Sequence, residues 1–217
     1  MNLQSIVTKL SEIHSDQPID LDVDVVYDEV LERADELEIT RHPLGFIQVD
    51  FAPIVSLPAG KRARLHVWDN NDGSRDDLGD LHTHVWSLTS WVMRGRLDDQ
   101  TFDPVANDDG ELFGSRVKES DIYEFPRVGR YDLIPLQRRA PRTGDVYTIP
   151  AGLVHESHVL DVPTSTLLLS TDNAQMVGEG PLVLTKRPQG AKGTTRRPRL
   201  SREELHRAIS KLRQPVA

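Results

Sequence analysis

Two stretches near the start of the chain, residues 2–14 and 25–37, repeat apolar residues at the spacing of an α-helix. Residues three and four apart lie on one face of a helix, so each stretch has an apolar side and a polar side. The pattern predicts two short amphipathic helices that pack against the outside of a barrel or against a subunit partner. The apolar positions are Leu3, Ile6, Val7 and Leu10 in the first stretch and Val26, Val30, Leu31 and Ala34 in the second.

The pattern changes to that of β-strands after His42 and Pro43. Proline discourages helix at the residue before it, and β-branched and aromatic residues become frequent from Gly45 onward. Short runs of these residues are separated by clusters of Gly, Asn and Asp, which are typical of turns. Many short strands at close spacing predict a mostly β barrel or sandwich. The runs are GFIQVDFAPIVSL, ARLHVWDN, DLHTHVW, LTSWVMRGRLDDQTFD and, as a continuous apolar strand, STLLLST.

Two polar regions interrupt or follow these strands. The region from Asp103 to Arg142 is long for a loop, and we expect an extra hairpin or a mobile loop over one mouth of the barrel. The segment KRPQGAKGTTRRPR has the composition of a linker, and a capping box from Ser201 to Glu204 begins a short helix, SREELHRAISKLR. The chain is therefore predicted to be one domain, with an N-terminal helical segment at 1–42, a β-barrel at 43–185 and a basic linker and helix at 186–217.

Composition narrows the possible functions. The chain of 217 residues has no cysteine, which excludes disulfides, zinc-thiolate sites and cysteine nucleophiles. The net charge is −8, but residues 186–217 carry ten Lys or Arg against two Glu, so the rest of the chain is strongly acidic. An acidic body argues against nucleic acid as the main ligand. The sequence has neither an apolar run near 18 residues nor the pattern of a signal peptide, which predicts a cytoplasmic protein without a membrane span.

Three histidines in strand-like surroundings form a candidate metal site. His82 and His84 are separated by one residue, so on a strand both rings leave the same face, roughly 6.5–7 Å apart along the backbone. His155 follows a Pro-Ala-Gly turn in GDVYTIPAGLVHESH. Three neutral imidazoles bind a divalent first-row metal and leave positions open for substrate, water or dioxygen. Iron(II) is the metal expected here, although zinc, nickel, manganese and copper also suit histidine.

Both histidine stretches resemble the two motifs of the cupin superfamily. The first motif is matched by His82, His84 and Gly95, with Leu88 where the motif usually has a glutamate. The second motif is matched without gaps, at Gly144, Pro150, Gly152 and His155. This resemblance implies a cupin barrel, also called a double-stranded β-helix or jelly roll, that holds one metal ion on His82, His84 and His155. It also implies a homodimer.

Within the cupins, residues 45–171 look most like the cysteine dioxygenase group of thiol dioxygenases. In that group a strand ending in tryptophan precedes the histidine pair, as ARLHVWDNN precedes DLHTH here, and the cupin glutamate is also missing. Gln48 lies near the place where some thiol dioxygenases have glutamine. Other positions depart from the animal enzymes, since Leu88, Leu168 and Ser170 stand where those have cysteine, histidine and tyrosine. No arginine between His42 and Gly60 could anchor a substrate carboxylate in the family's manner.

Several residues are candidates for lining the barrel cavity. Alternation along one strand places Arg64, His66 and Trp68 on the same face, and the resemblance implies that His66 and Trp68 point inward. His66 could orient substrate or transfer a proton near neutral pH, or it could be a plain core or surface histidine. The candidate catalytic residues are His66 and Trp68, and the candidate substrate-binding residues are Arg64, Trp86, Gln48 and Tyr147.

Further polar residues around the motifs carry weaker expectations. His158 lies three residues from His155, so a regular strand directs it to the opposite face. A carboxylate commonly orients a metal-binding histidine, and the candidates for that part are Asp145, Glu156 and Asp161. The arginines that could recognise an acidic substrate, with surface solvation as the default, are Arg94, Arg96, Arg138, Arg139 and Arg142.

These observations predict a mononuclear metal-dependent enzyme. The preferred hypothesis is a non-haem iron oxygenase or dioxygenase that acts on a small polar metabolite, such as a thiol or amino-acid-like compound, with dioxygen as co-substrate. One alternative is a redox-neutral isomerase, lyase or rearrangement enzyme that uses the same histidines. Another is a non-catalytic cupin that binds a metal or a small ligand.

Overall fold

The computed structural model describes residues 2–12, 19, 21–69, 81–117, 125–176, 178–187 and 197–214. The helices in these ranges are α1 (Leu3–Glu12), α2 (Val23–Glu32) and α3 (Arg202–Leu212), with short 3₁₀ turns at Ala34–Glu36 and Ala174–Met176. The strands are β1 (Glu38–Arg41), β2 (Ile47–Asp50), β3 (Lys61–Trp68), β4 (Leu81–His82), β5 (Trp86–Arg94), β6 (Leu97–Ala106), β7 (Leu112–Arg116), β8 (Arg127–Arg139), β9 (Val146–Ile149), β10 (Val154–Val159), β11 (Thr164–Asp172) and β12 (Leu182–Thr185).

The strands form two antiparallel arrangements that enclose one cavity. One is an open sheet in the order β1-β2-β3-β11-β5-β9, and the other closes on itself in the order β10-β4-β12-β7-β8-β6. Residues from both line the same cavity, for example His66 of β3 and His155 of β10. The prediction of a mostly β barrel with two helices before it and one behind it is confirmed.

The open sheet lies between the cavity and a layer of helices. Successive side chains of its strands point alternately to these two sides. Leu65 and Val67 of β3 are buried in the main hydrophobic core, whereas their neighbours Arg64 and His66 line the cavity. The same core contains apolar residues of all three helices, and the buried Tyr27 hydroxyl lies 2.6 Å from Ser165 Oγ on β11. The helices thus cover the outer face of the open sheet, whose inner face lines the cavity. None of the described helices is long and apolar enough to cross a membrane.

Three expectations about elements need adjustment. The second predicted helix ends early, since α2 stops at Glu32 and the chain then turns. The predicted insertion contains β7 and the thirteen-residue β8, which pair as two strands of the closed barrel rather than forming an addition to it, while residues 118–124 lie outside the described residues. The first predicted helix is described only as far as Glu12.

The C-terminal segment is attached to the barrel more closely than a linker would be. The backbone N–H of Arg41 donates to Pro198 O at 2.9 Å, and that of Leu200 donates to Ile39 O at 3.0 Å. Thr40 and Arg199 form an antiparallel bridge between these bonds. The predicted helix follows as α3, with its capping box at Ser201. Residues 197–200 therefore extend the edge of the open sheet beside β1, while residues 188–196 of the predicted linker lie outside the described residues.

Candidate metal centre

The two histidine motifs meet because their strands pair. His82 of β4 lies directly opposite His155 of β10, and His84 follows two residues later. One ligand atom from each histidine lies within 4.8 Å of the others, and the Nε2 atoms of His84 and His155 are 3.0 Å apart. Two nitrogens at about 2.0–2.1 Å from one ion, at right angles, are about 3.0 Å apart. The donor set therefore fits adjacent positions around a single divalent ion.

Electrostatics favour the metal-binding form of His84. Burial lowers the pKa of His84 well below its usual value, and the neighbouring His82 and His155 lower it further. A neutral imidazole offers the lone pair that a metal ligand needs. The indole of Trp86 stacks on the His84 ring, with centroids 3.8 Å apart and planes 20° from parallel. The ring of this ligand is therefore fixed by packing as well as by its strand.

A buried carboxylate orients the third ligand. Asp99 of β6 is completely buried, and its Oδ1 lies 3.3 Å from His155 Nδ1 and 2.7 Å from the hydroxyl of Ser157, which donates to it. Arg139 donates from Nε to the other carboxylate oxygen at 2.9 Å. Burial raises the pKa of Asp99, but the hydrogen bond and charge of His155, with Ser157 and Arg139, outweigh burial and lower it overall. An ionised Asp99 holds the proton of His155 on Nδ1 and directs Nε2 to the metal.

The carboxylates that the sequence suggested for orienting a ligand histidine do not contact one. Asp145 accepts the backbone N–H of Arg142 at 2.9 Å, and Asp161 lies 3.6 Å from the Arg96 guanidinium. Glu156 lies 3.4 Å from Nε2 of His158, which is outside the three-histidine cluster as its odd spacing predicts. Asp99 could not be recognised from the motif, because the aspartate that reaches His155 comes from the neighbouring strand, β6.

A cavity of about 160 Å³ lies between the two sheets. It is of the size for a small molecule, since a cavity of about 150 Å³ is enough to bind benzene. All nine candidate site residues line it, and their clustering agrees with the sequence-based site, although their individual roles stay predictions. They are Gln48, Arg64, His66, Trp68, His82, His84, Trp86, Tyr147 and His155.

Two of these residues are held in uncharged forms. Burial, together with the charges of Arg64 and Arg197, lowers the pKa of His66 to about 3. Burial raises the pKa of Tyr147 to about 12, with the Asp99 charge adding to the effect. At neutral pH His66 is therefore a neutral hydrogen-bonding ring, which departs from the expectation that it takes up a proton near pH 7. Tyr147 remains a protonated phenol.

Other cavity residues could not be recognised from the sequence. His42, Phe46 and Phe125 line the cavity, and the rings of His42 and Phe46 stack with centroids 4.3 Å apart. Arg197 lines it from the segment interpreted as a linker. The arginines suggested for an acidic substrate are not among the lining residues. These five arginines are Arg94, Arg96, Arg138, Arg139 and Arg142. Arg139 binds Asp99 behind His155, and the others with side-chain partners bind acidic or backbone groups that do not line the cavity.

Comparisons with known proteins find structural likeness without sequence likeness. No protein-family model matches the sequence, and no curated protein matches it significantly. A cupin superfamily protein from Desulfitobacterium hafniense is 9% identical over 55% of this chain and 73% of its own, with a TM-score of 0.30. The DMSP lyase DddQ from Ruegeria pomeroyi is 10% identical over 83% of this chain and 76% of its own, with a TM-score of 0.44.

A variant of oxalate decarboxylase from Bacillus subtilis is 13% identical over 66% of this chain, with a TM-score of 0.38. This chain covers only 30% of that decarboxylase. None of these three proteins is described as a thiol dioxygenase. These likenesses are shallow, and it is the strand order and the meeting of His82, His84 and His155 that agree with the cupin-type barrel and metal site expected from the sequence.

Proposed function

We propose that this protein is a mononuclear metal-dependent enzyme, an iron(II) oxygenase that acts on a small polar metabolite. The observation that carries the proposal is the set of three histidine nitrogens, unaccompanied by a carboxylate or thiolate ligand among the described residues, inside a cavity of small-molecule size. Held there, iron(II) would supply open coordination positions and redox chemistry for substrate and dioxygen.

The chain's own residues divide the remaining work. Asp99 fixes the tautomer of His155, and stacking on Trp86 fixes the ring of His84. Phe46 and Trp68 form an apolar wall, with ring centroids 5.1 Å apart, that helps to exclude bulk water. Neutral His66 and the Tyr147 phenol are suited to hydrogen-bond a substrate rather than to exchange charge with it.

The proposal is tested on untagged protein purified and reconstituted with iron(II) under argon. Metal content per chain is measured for wild type, for His82→Ala, His84→Ala and His155→Ala, and for His158→Ala as the matched control on β10. We expect about one ion per chain in wild type and in the control, and loss of that ion in the three ligand variants. Oxygen uptake is then followed with a panel of thiols and amino acids.

The outcomes separate the alternatives. Metal-dependent oxygen uptake that the ligand variants lose supports the oxygenase. A bound zinc, nickel, manganese or copper ion with turnover that consumes no oxygen supports the redox-neutral isomerase or lyase instead. Equal, low metal content in wild type and all variants after reconstitution would refute the enzyme and leave a ligand-binding barrel. Assembly as a homodimer and a cytoplasmic location stay predictions from the sequence.

A further inference from the structure

The described side chains that line the cavity include positively charged groups but no carboxylate. Two arginines, Arg64 and Arg197, line it, and no aspartate or glutamate does so among the described lining residues. The lining histidines add no compensating negative charge, and burial keeps His42 and His66 neutral by lowering their pKa values. A divalent ion on the three ligand histidines would add further positive charge. A cavity of this kind is matched by an anion rather than by a neutral or cationic molecule.

Arg64 is held in position from one side. It projects from β3 and donates from Nε to Asp50 Oδ2 at 3.2 Å. Its guanidinium carbon lies 5.7 Å from the ring centre of Trp86, which in turn stacks on the ligand His84. Asp50 engages the Nε donor, one of five N–H donors of a guanidinium. Arg64 is thus a partly buried cation that is held in place by Asp50. It is connected to the ligand His84 through its contact with Trp86.

Arg197 reaches the cavity from the other end of the chain. Pro198 and Leu200 are hydrogen-bonded to β1 on either side of the Thr40–Arg199 bridge, which fixes the backbone next to Arg197. Arg197, Arg64 and His66 line the same cavity, and the charges of both arginines act on His66. The C-terminal segment therefore brings a second cation to the cavity that Arg64 also lines.

The His66 ring, which lines the same cavity, has a polar atom without a hydrogen-bond partner in the described part of the chain. His66 Nε2 is buried and has no hydrogen-bond partner among the described residues. A buried polar atom without a partner costs about 1–3 kcal/mol, so its presence in a cavity points to a ligand that completes the bond. Phe46 and Trp68 flank His66, with ring centroids 4.5 and 5.9 Å away, and give the surroundings an apolar, planar character.

We infer that the substrate is a small carboxylate with a flat apolar body, whose carboxylate is bound by Arg64, Arg197 and His66. The inference deepens the proposed function, because it names the substrate class for the same cavity and depends on that cavity being the active site. It also makes the C-terminal segment part of the substrate site. An acidic substrate thereby uses arginines that neither motif contains.

The test measures binding of three carboxylates and their neutral amides by titration calorimetry. The pairs are acetate with acetamide, benzoate with benzamide, and phenylacetate with phenylacetamide. Full-length protein is used both chelator-treated and loaded with metal. In both forms we expect the best carboxylate to bind at least tenfold more tightly than its amide. We also expect Arg64→Gln and Arg197→Gln each to lower the carboxylate's affinity at least tenfold.

Matched controls come from the same elements. Arg62→Gln lies two residues from Arg64 on β3, and Arg199→Gln lies two residues from Arg197, and both residues are exposed. Neither control should change the affinity. Arg197→Lys keeps the charge and should retain part of the binding that Arg197→Gln loses. The Arg197 variants therefore still test the inference if Arg64→Gln does not fold. Melting temperature is recorded for every variant.

The inference is overturned if no carboxylate binds, if amides bind as tightly as carboxylates, or if the Arg197 variants behave like Arg199→Gln. It is also overturned if carboxylates bind only in the presence of metal and independently of both arginines, since they would then bind the ion alone. Failure of the proposed function looks different. In that case chelator-treated protein still binds carboxylate through the arginines, while metal content does not depend on the three histidines.

Discussion

At the scale of single residues, the metal site depends on a buried carboxylate that belongs to neither histidine motif. Asp99 accepts hydrogen bonds from Ser157 and Arg139 and lies against His155 Nδ1. Replacement by asparagine keeps the shape but removes the charge that favours the correct tautomer of His155. Loss of such a partner typically costs 10–100-fold in metal affinity. We expect Asp99→Asn to show a loss of this size in a competition titration against a chelating dye.

The neighbouring aspartate provides the control. Asp98 forms a similar pair with Arg138, but the pair is exposed and contacts none of the three ligand histidines. Asp98→Asn should leave metal affinity unchanged within a factor of two or so, because exposed pairs contribute on the order of 1 kcal/mol or less to folding and nothing to the ligand. Equal effects of the two substitutions would contradict the part assigned to Asp99.

The depressed pKa of His66 predicts a particular pH dependence of stability. The unfolded chain takes up a proton on this residue near pH 6.5, whereas the folded chain does so only near pH 3. Protons therefore favour the unfolded state between these values, and the stability that the neutral ring confers is complete above pH 6.5 and is lost as the pH falls toward 3. Each pH unit in this window costs about 1.4 kcal/mol for one proton.

Urea unfolding at pH 7, 6 and 5 measures this effect. The free energy of unfolding of wild type should fall more steeply below pH 6 than that of His66→Gln, by about 1.4 kcal/mol per pH unit. His206→Gln, at an exposed position of α3, should keep the wild-type slope. Parallel curves for wild type and His66→Gln would show that His66 is protonated equally easily in both states.

At the scale of elements, the two motif glycines differ in how much space a side chain would have. Gly95 is crowded by a neighbouring strand, whereas Gly144 is not. Gly95 follows β5 with a φ of +88°, and a Cβ there would lie 2.8 Å from Thr164 Cβ and 3.0 Å from Thr164 Cα. Gly144 has a φ of +95° but has no atom within 4 Å of its Cβ position. The first glycine permits both a turn and close contact with β11, and the second permits only a turn.

Alanine substitutions at these two positions should therefore differ. Gly144→Ala is expected to cost about 1–2 kcal/mol of folding free energy, from backbone strain alone. Gly95→Ala is expected to cost about 1–3 kcal/mol more, because Thr164 must move as well. Denaturant unfolding of both variants measures the difference. If the two losses are equal, the contact with Thr164 does not limit the residue at position 95.

The strands also show how far the sequence could predict the site. Alternation along β3 was enough to put Arg64, His66 and Trp68 on one face and Leu65 and Val67 on the other, and the family resemblance implied which face is inward. The first face lines the cavity and the second is buried in the core. Likewise, the histidine spacings were enough to predict the ligands. Asp99, by contrast, lies in a polar run, LDDQ, whose inward residue is decided by the register between β6 and β10.

At the scale of the whole molecule, contacts between distant parts of the chain determine what local patterns cannot. Arg197 belongs to a polar, basic segment whose composition is that of a linker, and only its pairing with β1 brings it to the cavity. The helices were predictable from their apolar faces, but the order of strands was not, because each strand has suitable edges on both sides. The metal site itself joins residues 71 positions apart, His84 and His155.

Because the ligands come from distant parts of the chain, metal binding and folding are predicted to be coupled. The three ligands converge only in the folded chain, so an ion that binds them stabilises the folded state by mass action, by about 2.7 kcal/mol at a hundred times its dissociation constant. For a domain of this size that corresponds to a rise of roughly 5–10 °C in melting temperature. Thermal unfolding of chelator-treated protein, with and without iron(II) under argon, measures the rise. His84→Ala should abolish it, whereas His158→Gln, which alters an exposed histidine paired with Glu156 on the same strand as His155, should retain it. A rise that persists in His84→Ala would place the stabilising ion at another site.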